Sequence, residues 1–313
     1  MSAEASGELK CPYCGATINV PEGIGSAYVT CPYCGYTFHK ESREALGEHY
    51  ALPATVASSE AFDAVLDYIT LRYTTPKDLN RKATLESANL VIYPIYELAV
   101  EAAGECTHDD LPNDMRVVEE FFLKHVPAGP NEAVNKLLSE LYTPPSVGRE
   151  PFKPTPSGEG RYAPLTLGME EALRMAQASG KAVVGVTLSD ECREGKINLR
   201  EVKAEFRALI HAPIWVMKYR YARKEWPAVV DASNATVIYA EAPIRAAARA
   251  FNAAVAAATI ASGAVAGAIV DLYIYPTTEL VGPFIGAGIG ALIALQPLKN
   301  LLRKKEVITE YKF

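Results

Sequence analysis

Cys-Pro-Tyr-Cys-Gly stands at residues 11–15 and again at 31–35, with sixteen residues between Cys14 and Cys31. Thiolates are the ligands that structural Zn2+ prefers, and a Cys-x-x-Cys turn is tight enough to present both sulfurs to one ion. Two such turns make a tetrahedral S4 set from Cys11, Cys14, Cys31 and Cys34. Four thiolates leave no position for water, so the expected cofactor is one structural Zn2+ and not a catalytic one. Gly15 and Gly35 follow the second cysteine of each turn, where a left-handed backbone is commonly needed. A redox Cys-x-x-Cys would be followed by a βαβ pattern, which is missing, and disulfides would need an oxidising compartment. His39 and His49 come just after; with the ligand set full, both are expected at the surface or in packing.

Other reactive residues carry weaker patterns. Cys106, His108, Asp109 and Asp110 could hold a metal or activate a thiol, but no second His or Cys is near in sequence, so a solvated loop is expected. Ser189-Asp190-Glu191-Cys192 reads as a polar turn. Lys218, Arg220, Arg223 and Lys224 interleave with Trp215, Tyr219, Tyr221 and Trp226. Such a set blunts an exposed strand against aggregation; after that reading come contact with anionic lipid and, third, with single-stranded nucleic acid. There is no Gly-rich phosphate loop before a helix, no G-x-S-x-G and no H-E-x-x-H. The expectation is a protein that is not an enzyme.

The elements that must position these residues begin with a ribbon over 1–40, two short strands and a Gly-rich turn between the knuckles. It resembles the zinc-ribbon family, including the ribbon named after transcription factor IIB, over about residues 8–40. Many such ribbons bind nucleic acid, but residues 1–40 hold only Lys10 and Lys40 against Glu4, Glu8 and Glu22. No basic stripe is present to neutralise a phosphate backbone. Protein recognition or structural support fits the charge better, with the ribbon as a distal recognition tip.

The middle of the chain repeats. PATVASSEAF at 53–62 aligns with PLTLGMEEAL at 164–173, and LVIYPIY at 90–96 with LIHAPIW at 209–215. Two anchors in one order point to a duplication: a first α+β unit at 50–142, a Pro/Gly/Ser linker at 143–163 and a second α+β unit at 164–243. Ser58–Arg72 and Met169–Ser179 read as helices from their apolar spacing. In the first unit Met115–His125 and Asn131–Leu141 read as further helices. In the second, WVMKYRY, WPAVVD and TVIYA read as a β-meander. The helix around MEEALRMA, the strand GKAVVGVTL and the closing AVVDASNATVIYA resemble a PepSY-type α+β unit, with Asn234-Ala235 where that family usually has Thr-Gly. The resemblance implies a non-catalytic module that binds or restrains partners, often beside transmembrane helices.

Residues 244–305 change character. Ala250–Val270 and Leu280–Leu298 are uncharged apolar blocks of 21 and 19 residues. As helices they reach about 31 and 28 Å, matching a hydrocarbon core of about 30 Å. Arg245 and Arg249 precede the first, Lys299, Arg303, Lys304 and Lys305 follow the second, and the turn between has no Lys or Arg. This asymmetry predicts a transmembrane hairpin with both termini cytoplasmic. Gly263-x-x-x-Gly267 and Gly286-x-x-x-Gly290 would let the helices approach closely and could join a second copy of the chain. Two Ala/Gly-rich helices buried in a soluble core are the competing reading. The opening MSAEASGELK has no apolar core of a secretory signal. Only Gln177 and Gln296 represent glutamine, a hint of a thermophilic source.

The whole chain resembles prokaryotic membrane proteins that join a zinc ribbon to a membrane hairpin. The expected role is an adaptor that holds a protein partner at the cytoplasmic membrane face. A tether for ribosomes or nucleic acid, and a transport or channel subunit, are the competing expectations.

Overall fold

A computed structural model describes residues 7–20, 26–108, 111–154, 160–192, 196–274, 282–295, 299 and 305–309. The architecture is mixed α and β. Two small hairpins make the ribbon: β1 (Gly7–Lys10) with β2 (Thr17–Val20), and β3 (Tyr28–Thr30) with β4 (Thr37–His39). Everything else is organised on one ten-stranded sheet.

Two long antiparallel strands form its centre, β6 (Thr84–His108) and β11 (Lys203–Tyr221). The two anchor segments of the sequence lie directly against each other there, with Ile95 opposite Ile210 and Tyr96 opposite Leu209. Outside β6 run β7 (Leu111–Pro127) and the short β9 (Arg161–Tyr162); outside β11 run β12 (Lys224–Asp231) and the short β5 (His49–Ala51). The arrangement is reciprocal. A short strand, a helix, a long strand and its hairpin partner occur twice in order, and each short strand pairs with the long strand of the other set. β12 leads to β13 (Val237–Pro243), whose outer edge is taken by β14 (Lys305–Thr309). The sheet is completed by β8 (Glu150–Pro151) beside β5 and by β10 (Lys196–Leu199) beside the far end of β6.

Side-chain alternation assigns the faces. Tyr96, Leu98, Val100, Ala102 and Cys106 on β6 pack under α4 (Met169–Glu191), and Trp215, Met217 and Tyr219 on β11 pack under α1 (Ser58–Thr70). Tyr93 and Ile95 point the other way, to Leu138 of α3 (Glu132–Leu141). The helices thus cross over as the short strands do: α1 covers the second set's hairpin and α4 the first's. A short α2 (Leu79–Lys82) precedes β6.

Two expected elements differ. Residues 180–188, read as a strand, continue α4. The reason is a stripe at every fourth position: Ala172, Ala176, Val184 and Leu188 are all fully buried, and Gly180 lies so close to the sheet that a Cβ there would sit 2.7 Å from Val202 and 2.9 Å from Val100. A spacing of four is a helix face, not a pleat. Residues 115–125, read as a helix, are strand β7. Val118 and Val126 are buried while Met115, Val117, Phe121 and Leu123 are exposed; an exposed row at every second position with β-branched and aromatic residues suits a half-covered strand. Residues 143–163 are also more than a linker, since they supply β8 and β9 to the sheet.

After β13 the chain leaves as α5 (Ala246–Ile269), continues through a π-helical turn at Val270–Ile274, and returns through α6 (Gly282–Ile293). From Ala246 to Leu272 is one continuous apolar helix of 27 residues, the single described helix long and apolar enough to cross a bilayer. The described part of α6 has 12 residues, about 18 Å; the rest of the second apolar block falls largely outside the described residues.

Candidate metal centre and membrane helix pair

The two knuckles fold alike because their sequences do. In the first, the Gly15 N–H donates to the Cys11 carbonyl at 3.0 Å and the Cys11 N–H to Ala16 at 2.9 Å; in the second, Gly35 donates to Cys31 and Cys31 to Tyr36, both at 2.9 Å. Gly15 and Gly35 have φ of 74° and 73°, the left-handed turn for which a missing Cβ is the usual solution. The result brings Cys11, Cys14, Cys31 and Cys34 together, with all four Sγ atoms within 4.8 Å of one another. Sγ of Cys11 is 3.8 Å from that of Cys34, and Sγ of Cys14 is 3.7 Å from that of Cys31. A regular tetrahedron with metal–sulfur bonds of about 2.3 Å has edges of about 3.8 Å. The set therefore fits one four-coordinate ion of zinc type. Burial pushes the Cys31 and Cys34 thiols up, which disfavours bare thiolates and favours a cation to neutralise them.

The ribbon is docked, not held out from the sheet. A Cβ on Gly35 would overlap Tyr162 and lie 2.7 Å from Phe152, so the second knuckle sits flat on these rings. Beneath them is an aromatic cage with His49 stacked on Phe152 at 4.3 Å, His211 at 4.6 Å from His49, and Tyr162 edge-on to His211 at 5.4 Å between centroids. Among the described residues, His49 Nε2 and both ring nitrogens of His211 are buried without a hydrogen-bond partner. Desolvation holds His49 down at about 4 and His211 well below its ordinary value. His39 is no ligand either: its Nδ1 accepts from the Glu41 and Ser42 amides at 3.3 Å. Tyr13 and Tyr33, one in each knuckle, are 59% and 57% exposed. A cleft of about 530 Å3 separates Tyr28 of the ribbon from Met169, Glu170 and Arg174 at the start of α4.

Cys106 and Cys192 are not on solvated loops. They form a disulfide across 86 residues, buried under α4, which joins the far end of β6 to the end of that helix. Sequence reasoning missed it; Asp109 and Asp110 of the expected cluster lie outside the described residues.

The basic set on the meander is partly neutralised. Lys218 lies 3.9 Å from Glu225, and Arg220 lies 3.0 Å from Glu86 and 3.7 Å from Glu225. Arg223 and Lys224 sit at the exposed β11–β12 turn, where Ala222 and Arg223 have φ of 50° and 63°, the left-handed pair of a tight two-residue hairpin.

Helices α5 and α6 meet through glycine. A Cβ on Gly263 would overlap the Gly286 carbonyl oxygen, and one on Gly286 that of Gly263 and come within 3.1 Å of the Gly267 amide nitrogen. A Cβ on Gly290 would lie 2.7 Å from the Thr259 oxygen. Only 6% of the most apolar window of α5 is buried. The pair is also closed at its base: Pro243, just before α5, pairs with Lys305 in β14, and Lys305 Nζ makes an ion pair with Glu241. No family model, curated protein or solved structure matches the chain.

Proposed function

We propose that this protein is a two-pass membrane adaptor whose zinc ribbon and sheet hold a protein partner at the cytoplasmic face. One observation carries the membrane reading: the long apolar helix is almost wholly unburied. A helix of that length in a soluble core would be covered; a bare one needs lipid. The β13–β14 pairing supports two crossings. Residues 243 and 305 are held side by side, so a chain that crosses outward along α5 must cross back before β14. The basic flanks, Arg245 and Arg249 before and Lys299 after, favour the cytoplasmic side for that base. Gly263, Gly267, Gly286 and Gly290 are the residues on which the two crossings pack. A buried disulfide is rare in a cytoplasm-facing domain outside thermophiles, so the cytoplasmic reading also requires a thermophilic interior, with which the scarcity of glutamine agrees.

The adaptor role rests on the ribbon. The ion at Cys11, Cys14, Cys31 and Cys34 is Zn2+ in a structural capacity, and no open coordination position offers chemistry. Its fixed turns present Tyr13 and Tyr33 to solvent, and exposed aromatics on a rigid base are what a protein partner is recognised by. Ion pairs on Lys218 and Arg220 speak against a nucleic-acid groove. The reciprocal arrangement of strands and helices supports a duplicated unit whose copies interlock, so neither would stand as a separate domain.

The test is affinity capture from solubilised membranes with the intact chain and with Tyr13→Ala/Tyr33→Ala, zinc content being checked in both. The adaptor reading expects a bound protein that the double variant loses. An identical set of bound proteins removes the recognition role. Extraction of membranes at alkaline pH tests the anchor separately: release into the supernatant refutes it.

A further inference from the structure

The end of the sheet from which α5 departs gathers segments far apart in sequence. The Arg245 N–H donates to the Thr74 carbonyl at 2.8 Å, so the loop after α1 touches the residue that caps the start of α5. The Tyr221 hydroxyl donates to Asp78 at 2.8 Å, which draws the β11–β12 turn to the same loop. Pro243 and Lys305 close the set.

What this end presents is specific. Leu71 and Tyr73 are 82% and 67% exposed, a large aliphatic and an amphipathic ring side by side at the mouth of an apolar helix. Three acids close to them are engaged, Asp78 with Lys82 at 2.7 Å, Glu86 with Arg220 and Glu241 with Lys305, while Asp67, one turn before Leu71, is exposed without an ion pair among the described residues. Lys77, Arg81, Arg223 and Lys224 are exposed and make no ion pair among the described residues. The unbalanced charge of this end is therefore positive, although the chain as a whole carries −6. Aromatic rings at the interface and lysine or arginine facing anionic headgroups are how a membrane surface is recognised.

We propose that the Leu71–Lys82 loop and the Tyr221–Lys224 turn form a lipid-contact surface, with Leu71 and Tyr73 inserted at the interface and Lys77, Arg81, Arg223 and Lys224 bound to anionic phospholipid headgroups. This rests on the membrane reading of α5. It adds a second, charge-selective contact that fixes the height and tilt of the sheet above the bilayer. Neither segment contributes to the zinc site or the cage beneath it, so the surface can be altered without touching either.

The test is hydrogen exchange on the full chain in two sets of vesicles, phosphatidylcholine alone and phosphatidylcholine with phosphatidylglycerol. Amides of 71–82 and 221–224 are expected to exchange more slowly with the anionic lipid, by at least about fivefold, the effect of about 1 kcal/mol from one engaged basic side chain. Lys77→Glu/Lys224→Glu, both exposed positions, is expected to abolish the difference, as is high salt. Equal exchange in the two lipids, with α5 still protected, overturns this surface and leaves the anchor standing. Free exchange of α5, with the chain absent from floated vesicles, overturns the anchor and this proposal with it.

Discussion

His211 offers a test of how the ribbon is held. Its ring is fully buried in the cage of His49, Phe152 and Tyr162, and neither nitrogen has a partner among the described residues. A neutral imidazole carries one N–H, so one donor and one acceptor are left unsatisfied, at a cost of about 1–3 kcal/mol. Protonation is worse, because burial and the adjacent His49 both oppose charge on His211. The sign follows from linkage. His49 is held at about 4 against an ordinary 6.5, so below 6.5 the unfolded chain binds a proton that the folded chain refuses. Stability from this group is complete above pH 6.5 and is lost as pH falls toward 4. For those two values the loss at pH 5.5 is about 1.4 kcal/mol, from His49 alone. In a domain of this size that lowers the thermal midpoint by about 3–6 °C. The assay is thermal unfolding of the detergent-solubilised protein between pH 7.5 and 5.5, with bound zinc measured at each pH so that metal loss is not mistaken for cage protonation. His49→Phe and His211→Phe should each remove part of the pH dependence, because the folded chain refuses a proton at both rings, and His211→Phe should leave the protein as stable or more so at pH 7.5, because the cage is already aromatic. A destabilised His211→Phe at pH 7.5, or identical pH profiles for all three proteins, refutes the argument that these rings are buried uncharged and unbonded.

Removing the disulfide with Cys106→Ala/Cys192→Ala frees a loop of 86 residues, for which chain entropy gives a loss of about 4.6 kcal/mol; a thermal midpoint unmoved by the substitutions or by reductant counts against the bond. Cys34→Ser should reduce bound zinc below one per chain by metal analysis and loosen the ribbon, raising exchange at Thr30 and Thr37, whose hydroxyls hydrogen bond at 2.8 Å across β3 and β4; full zinc retention would contradict the ligand set. Gly286→Val places a branched side chain against the Gly263 backbone and must part the two helices, at about 1–3 kcal/mol, whereas Gly288→Ala, with nothing within 4 Å of its Cβ, should be silent. The readout is amide exchange of α5 in vesicles, and equal effects of the two substitutions would mean the helices do not pack through these glycines.

What the sequence disclosed, and what it hid, divides along the range of the interactions. The metal site was legible because each knuckle is a five-residue turn whose cysteines and glycine are set by local geometry. The glycine pairs were legible for the same reason, since a spacing of four is itself a helix face. The cage of His49, Phe152, Tyr162 and His211 was not, because it draws four segments together through β5, β8, β9 and β11 and no local pattern marks any of the four. Residues 115–125 misled because a half-covered strand with charged neighbours also satisfies a helical reading over two turns; only the length of β6 opposite decides. The missed disulfide lies between these cases. Cys106 sits in GECTHDD and Cys192 in SDECREG, both polar in their immediate surroundings. Yet Cys106 continues the alternate-residue row of Leu98, Val100, Ala102 and Gly104, and Cys192 continues the every-fourth row of Ala176, Gly180, Val184 and Leu188. Two stripes of different period, each small or apolar throughout and each ending on a cysteine, are what a helix laid along a strand requires when its far end is to be pinned. That coincidence was readable in principle, but only once residues 180–188 were seen as helix, so the error in period and the missed bond are one error.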